Sequence, residues 1–114
     1  MHENGRIDYC ELAGTNVAAM KRFYETAFGW RFTDYGPTYA AFAEIGLDGG
    51  IQGDPQEASA TPLIILYADD LEAMQSQVTA AGGTISREIF DFPGGRRFHF
   101  RDPSGNELAV WSET

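Results

Sequence analysis

The alternation of apolar and polar residues predicts two amphipathic helices. The first begins after Thr15-Asn16, residue types that often cap a helix N-terminus, and ends at Gly29, which suits the left-handed turn after a helix. The second begins at Asp69-Asp70 and ends at Gly82-Gly83. In each helix the apolar residues share one face: Val17, Met20, Phe23, Tyr24 and Ala27 in the first, and Leu71, Met74, Val78 and Ala81 in the second. Both helices are therefore expected to lie on a sheet.

Eight shorter segments have the composition or alternation that is typical of strands. Turns rich in Gly and Pro separate them, such as Gly36-Pro37, Leu47-Asp48-Gly49 and Pro93-Gly94-Gly95. The predicted strands are Arg6–Leu12, Arg31–Tyr35, Tyr39–Ile45, Gly50–Gly53, Pro62–Ala68, Thr84–Phe92, Arg97–Arg101 and Glu107–Ser112.

The order strand, helix and three strands occurs twice along the chain. Equivalent positions lie 54 residues apart, namely Asn16 and Asp70, Ala27 and Ala81, and Gly29 and Gly83. The residues themselves are poorly matched, so this is a repeat of pattern. We expect an α+β fold with one domain of two βαβββ modules, about residues 1–55 and 56–114. The alternative is a single α+β sheet in which the spacing arises by chance.

Length and charge limit the function classes. The 114 residues suffice for one domain, and 17 acidic against 8 basic residues give a net charge of −9. An acidic surface argues against nucleic acid and anionic membranes as partners. The longest apolar stretch, Leu63–Ala68, is far shorter than the ~20 residues of a membrane helix, and we expect no signal peptide. With one cysteine, Cys10, the cytoplasm is the expected location.

Two segments resemble the vicinal oxygen chelate superfamily, which includes glyoxalase I, bleomycin-resistance proteins and extradiol dioxygenases. The opening segment is RIDYCELAGTNVAAMKRFYETAFGW, a short strand, a capped helix and the Phe28-Gly29-Trp30 stretch. The closing segment is GGRRFHFRDPSGNELAVW, in which the Asp102–Asn106 turn leads into a last strand. The resemblance covers the whole chain. It implies sheets that curl around a shared cavity, and a homodimer.

Enzymes of this superfamily hold a divalent metal ion with His, Glu or Gln on four inward strand positions. The resemblance places those positions at Tyr9, Gln52, Leu63 and Ala109 of this chain. Only Gln52 has the chemistry of a good ligand, because leucine and alanine have no lone pair and a neutral tyrosine binds metals poorly. We therefore predict no metal site and no cofactor.

Two strands carry polar residues that are candidates for ligand binding or catalysis. Tyr9 and Glu11 share one face of the first strand. Glu11 is therefore either a carboxylate in the cavity or a strand-end group that is solvated or pairs with an arginine. Arg97, His99 and Arg101 share a face of the seventh strand and suit an anion clamp, with His99 as a candidate base. The favoured alternative is that these side chains face outward or pair with Glu107, Glu88 or Asp91.

The expected ligand pocket is largely apolar with a few polar groups, which is the usual form of a small-molecule site. Its predicted members are Tyr9, Glu11, Gln52, Leu63, Ile65, Arg97, His99, Ala109 and Trp111. The leading hypothesis is a metal-free protein that binds a small molecule, in the mode of bleomycin-resistance proteins. One alternative is an enzyme with an unrecognised metal site, a lactoylglutathione lyase of the glyoxalase type or a dioxygenase. Another is a non-catalytic protein-interaction module.

Overall fold

Both predicted helices are present in the computed structural model, which describes residues 2–114. Helix α1 spans Val17–Phe28 and helix α2 spans Leu71–Ala80. The side chains of Asn16 and Asp70 each accept a hydrogen bond of 3.0 Å from the backbone N–H three residues ahead. These bonds satisfy amide groups that the first turn of a helix leaves without an intrahelical partner. The two predicted N-caps, 54 residues apart, are thus confirmed.

The two helices end differently. Gly29 follows α1 in the left-handed conformation, with φ 73°, and its N–H bonds back to the carbonyl of Glu25 at 3.0 Å. The C-cap of α2 is instead Ala81, which keeps right-handed helical angles. The residue with positive φ is the next one, Gly82, at 106°. Glycine adopts positive φ without a steric penalty, which is why both helices stop at the predicted glycines.

Within residues 2–114 the chain forms eight strands. They are β1 (Ile7–Ala13), β2 (Phe32–Asp34), β3 (Tyr39–Phe42), β4 (Asp48–Gln52), β5 (Leu63–Tyr67), β6 (Thr84–Phe92), β7 (Gly95–Arg101) and β8 (Glu107–Ser112). The bounds predicted for β6 and β8 are confirmed. Strand β3 ends at Phe42, three residues early, because Glu44 has a φ of 64° that leaves the extended region.

Strand β4 corrects the prediction of a turn at residues 47–49, since the strand already begins at Asp48. Gly49, which suggested a turn, and Gly50, which was predicted to begin the strand, both make room for aromatic rings from β3. A Cβ atom on Gly49 would lie 2.5 Å from the ring of Phe42, and one on Gly50 would lie 2.3 Å from the hydroxyl of Tyr39. These glycines therefore mark close approaches within a sheet rather than a chain reversal.

The described chain divides into two compact units, which we call the N-terminal unit (residues 9–63) and the C-terminal unit (residues 2–8 and 64–114). The N-terminal unit contains α1 and strands in the order β2-β3-β4-β1, with β4 and β1 parallel. The C-terminal unit contains α2 and strands in the order β6-β7-β8-β5, with β8 and β5 parallel. The two βαβββ modules are therefore confirmed, while a cavity shared by them stays a prediction.

Each unit has its own apolar core on the helix side of its strands. In the C-terminal unit, α2 packs on a cluster formed by Ala68, Leu71, Phe98 and Val110. In the N-terminal unit, Ala40, Phe42 and Ile51 are the most buried apolar residues of β3 and β4. Trp30 stacks on Tyr24 of α1 with ring centroids 4.5 Å apart. No helix among residues 2–114 is long and apolar enough to span a membrane.

Candidate functional site

The face of the N-terminal unit that carries Tyr9 and Glu11 holds a chain of hydroxyl and carboxylate groups. Tyr39 of β3 donates its hydroxyl hydrogen to Oε2 of Glu11 at 2.9 Å. The hydroxyl oxygens of Tyr9 and Tyr39 are 2.7 Å apart. Because the single proton of Tyr39 goes to Glu11, Tyr9 is the donor in this second bond. Burial, followed by the nearby Glu11 carboxylate and Tyr9, raises the pKa of Tyr39, so the group remains a neutral O–H donor.

Glu11 is buried, with 6% of its surface exposed, so it is not a solvated strand end. The alternative that it pairs with an arginine stays a prediction. Its position follows from the pairing of β1 with β4, which sets Glu11 opposite Gly50. The missing side chain at Gly50 lets the Tyr39 ring cross the sheet surface to reach the carboxylate. Sequence reasoning missed Tyr39, although the residue lies in a predicted strand, opposite Gln52 of the predicted pocket.

The predicted pocket residues of the C-terminal unit are cross-strand neighbours. Ala109 of β8 lies between Ile65 of β5 and His99 of β7, and Trp111 pairs with Arg97. Ile65, His99 and Ala109 are each at most 4% exposed, and Arg97 is 8% exposed. An outward face for Arg97 and His99 is therefore wrong. They lie on the side of β7 opposite the Phe98 core, as the alternation predicted.

His99 contacts a carboxylate through one ring nitrogen. Its Nδ1 is 3.4 Å from Oε2 of Glu107, one of the residues proposed as a cross-strand partner. Ser86 of β6 donates its hydroxyl to the same oxygen at 3.0 Å. Burial and the Arg97 guanidinium lower the pKa of His99 to about 4, while the Glu107 carboxylate opposes this shift. The imidazole is therefore neutral near pH 7.

Trp111 belongs to an aromatic cluster in the C-terminal unit. Its indole N–H donates to Oδ2 of Asp8 at 2.8 Å, and its ring packs edge to face on Tyr67 with centroids 5.4 Å apart. The imidazole of His2 stacks on Tyr67 and bonds to Asp8 Oδ1 at 2.8 Å. The sequence predicted Trp111 as a pocket residue but gave no sign of these partners, because more than a hundred positions separate Trp111 from Asp8.

The family model for the glyoxalase, bleomycin resistance protein and dioxygenase superfamily matches residues 6–110 of the chain. The chain belongs to this superfamily. The resemblance inferred from the opening and closing segments is thus confirmed.

Relatives of this superfamily member agree with the assignment. CFP32 of Mycobacterium bovis, which is named as a glyoxylase, is 27% identical to this chain over 128 residues. The alignment covers 96% of this chain and 46% of CFP32. The anthracycline biosynthesis protein DnrV of Streptomyces peucetius is 30% identical over 128 residues, covering 94% of this chain and 46% of its own length. The chain thus spans about half the length of the curated relatives it matches.

The fold of the superfamily member is also seen in solved structures. A superfamily member from Vibrio splendidus 12B01 aligns with a TM-score of 0.72 at 16% identity, covering 94% of this chain and 97% of that chain. At this identity the likeness concerns the fold alone. It agrees with the α+β class and the repeated βαβββ order described above.

The four positions that the resemblance assigns to metal ligands are Tyr9, Gln52, Leu63 and Ala109, and the structure shows what each side chain offers. Leu63 and Ala109 are apolar and 1% and 0% exposed. The Tyr9 hydroxyl bonds to Tyr39, and the Gln52 Oε1 accepts the backbone N–H of Asp54 at 3.0 Å. Among residues 2–114 no group of three or more His, Cys, Asp or Glu side chains is arranged to hold a metal. The donors present therefore do not fit a divalent ion.

Proposed function

We propose that this protein binds a small organic molecule and that it does so without a resident metal ion. The observation that carries the proposal is the chemistry of two inward strand positions. Leu63 and Ala109 occupy positions that the resemblance assigns to metal ligands, and neither side chain has a lone pair. Both are buried, and neither side chain has an atom that could bind a metal ion in any rotamer. Binding through apolar contact and hydrogen bonds needs neither position to be a donor.

Each unit, taken by itself, carries polar groups that suit an organic ligand. The N-terminal unit presents the hydroxyls and carboxylate of Tyr9, Tyr39 and Glu11. The C-terminal unit presents the buried side chains of Arg97 and His99. A few polar groups among apolar and aromatic residues are typical of sites that orient an organic ligand. This composition supports binding rather than a reaction that depends on a metal ion.

Relatives suggest which ligands to test first. The name of DnrV places that protein in anthracycline biosynthesis. We extend this to the present chain only as a choice of probe, a polycyclic aromatic compound with hydroxyl groups. The many aromatic side chains, 13% of the residues, suit such a ligand because aromatic rings stack favourably.

The test combines metal analysis with ligand binding. We expect purified, dialysed protein to contain well under one metal ion per chain by elemental analysis. We also expect an anthracycline to raise the melting temperature and quench tryptophan fluorescence equally with and without EDTA. Stoichiometric nickel, zinc or iron that survives dialysis contradicts the proposal.

The same experiment separates the alternatives. Turnover of the methylglyoxal–glutathione adduct that a chelator abolishes would instead assign a metal-dependent lyase of the glyoxalase type, and oxygen consumption with a catechol would assign a dioxygenase. Failure of every small molecule to bind favours a protein-interaction module. We further propose that the protein is a homodimer located in the cytoplasm. Analytical ultracentrifugation measures the mass of the assembly directly.

A further inference from the structure

The side chain of His99 combines deep burial with an incomplete set of hydrogen bonds. The residue is 4% exposed and lies on β7, between Ala109 of β8 and Arg87 of β6 in the strand pairing. A buried imidazole normally satisfies both ring nitrogens, because a buried polar atom without a partner destabilises the fold. The two nitrogens of His99 differ in this respect.

The Nδ1 side of the ring is fixed by a carboxylate. Glu107 Oε2 lies 3.4 Å from Nδ1, and the Ser86 hydroxyl donates to the same oxygen at 3.0 Å. A carboxylate accepts hydrogen bonds, so this contact places the single proton of the neutral ring on Nδ1. Ser86 helps to hold Glu107 in the position that selects this tautomer.

The Nε2 atom is therefore the one that carries the lone pair. It is buried and has no hydrogen-bond partner among residues 2–114. A lone pair in that setting is an unused acceptor. Occupation by an N–H or O–H group of a ligand would remove the cost of leaving it unpaired.

The charges around His99 limit which donor fits. Burial lowers the pKa of the ring, the guanidinium groups of Arg97 and Arg87 lower it further, and the Glu107 carboxylate opposes them. The Arg87 guanidinium lies over the Phe90 ring, 3.6 Å from its centroid. Two positive charges disfavour an ammonium donor. The Phe90 ring centroid is 5.8 Å from that of His99, which offers an aromatic surface to a flat ligand.

We propose that Nε2 of His99 accepts a hydrogen bond from an uncharged hydroxyl group of the ligand, of the phenol or enol class. This inference rests on the proposed function, since it names the ligand chemistry of the same binding protein. Glu107 is a positioning residue in this arrangement, because it acts through the tautomer of His99. His99 acts as an acceptor and no proton is transferred.

The experiment compares phenol with anisole, which has the same ring but no hydroxyl hydrogen. In uniformly ¹⁵N-labelled protein, a long-range ¹H–¹⁵N spectrum reports the protonation of each imidazole nitrogen. His2 is the only other histidine and serves as an internal reference. We expect Nε2 of His99 to be non-protonated in the free protein and to shift on addition of phenol but not of anisole.

The variant His99→Phe removes the acceptor and keeps a ring of similar size. We expect phenol to bind wild type about tenfold more tightly than anisole, and the ratio to fall to about one in His99→Phe. In Glu107→Gln, we expect protonation to spread between both ring nitrogens and the preference for phenol to decrease. Circular dichroism shows whether each variant is folded. The long-range ¹H–¹⁵N spectrum of the wild-type protein tests the inference even if a variant does not fold.

Two results overturn the inference. One is a proton on Nε2 in the free wild-type protein, and the other is an Nε2 signal that millimolar phenol leaves unchanged. Either result leaves metal-free binding of other ligands intact. Conversely, a stoichiometric metal ion overturns the proposed function, while the tautomer of His99 is still read from the same spectra.

Discussion

Tyr39 donates a hydrogen bond to Glu11 across an intervening strand, with 2.9 Å between the hydroxyl and Oε2. The ring passes over Gly50 of β4, and a Cβ atom there would lie 2.3 Å from the hydroxyl. Three strands thus contribute to one contact: β3 the donor, β4 the space and β1 the acceptor. The contact joins a hydroxyl and a carboxylate that are 28 positions apart in the sequence of the N-terminal unit.

Replacing Tyr39 by Phe should lower stability, because the substitution removes the hydroxyl that bonds to both Glu11 and Tyr9. We expect a loss of about 1–3 kcal/mol in the free energy of unfolding, measured by urea denaturation. The control is Tyr35→Phe, the same change at a residue that is 66% exposed. If Tyr35→Phe lowered the free energy of unfolding as much as Tyr39→Phe, the hydrogen bonds of Tyr39 to Glu11 and Tyr9 would not be the cause of the loss.

Adding one methyl group at Gly50 should also destabilise the N-terminal unit. The Cβ atom of Gly50→Ala would overlap the Tyr39 ring, so the ring must leave its place over β4. We expect a loss of about 1–3 kcal/mol by urea denaturation. A double-mutant cycle checks the cause: in a Tyr39→Ala background, Gly50→Ala should cost little. Equal costs in both backgrounds would refute this explanation.

Stability should depend on pH through His99. Burial and Arg97 lower its folded-state pKa to about 4, against about 6.5 in the unfolded chain. As pH falls, the unfolded chain therefore binds the extra proton before the folded protein does. The contribution of His99 to the free energy of unfolding is complete above about pH 6.5 and decreases by about 3 kcal/mol in total toward pH 4. Arg87 also disfavours the charged ring, and Glu107 favours it.

The measurement is the free energy of unfolding of wild type and His99→Gln at half-unit intervals from pH 4 to pH 7.5. Carboxylates titrate in both proteins, so the difference between the curves isolates the imidazole. We expect wild type to lose more stability than the variant between pH 6.5 and 4. Parallel curves over this range would show that His99 keeps an ordinary pKa.

The two N-caps should contribute similar stability. Asn16→Ala and Asp70→Ala each remove a side-chain oxygen that accepts a backbone N–H at 3.0 Å. We expect each substitution to lower the melting temperature, equivalent to about 0.5–2 kcal/mol. Thr15→Ala, next to the first cap and exposed, is the matched control and should change stability by less than about 0.5 kcal/mol. A control effect as large as either cap would argue against capping as the cause.

Local sequence determined the helices, most of the strands and the repeated module order. The caps at Asn16 and Asp70 and the stop at Gly29 involve residues only a few positions apart, so sequence patterns predict them well. Strand alternation likewise placed His99 and Arg97 together on one face. Gly49 of β4 was misread as part of a turn, because a glycine that receives a ring looks the same in sequence as one that reverses the chain.

The sequence named Glu107 among the partners for the face of His99, but tertiary structure decided the other contacts between polar groups. Tyr39 and Glu11 are 28 positions apart, and Ser86 and Glu107 are 21 positions apart. Such pairs depend on how strands are ordered and aligned, and a shift of one residue would turn each side chain to the opposite face. The sequence therefore determined which residues share a face of each strand. The pairing of strands determined that Tyr39 bonds to Glu11, and that Glu107 lies next to Nδ1 of His99 while Nε2 has no partner among residues 2–114.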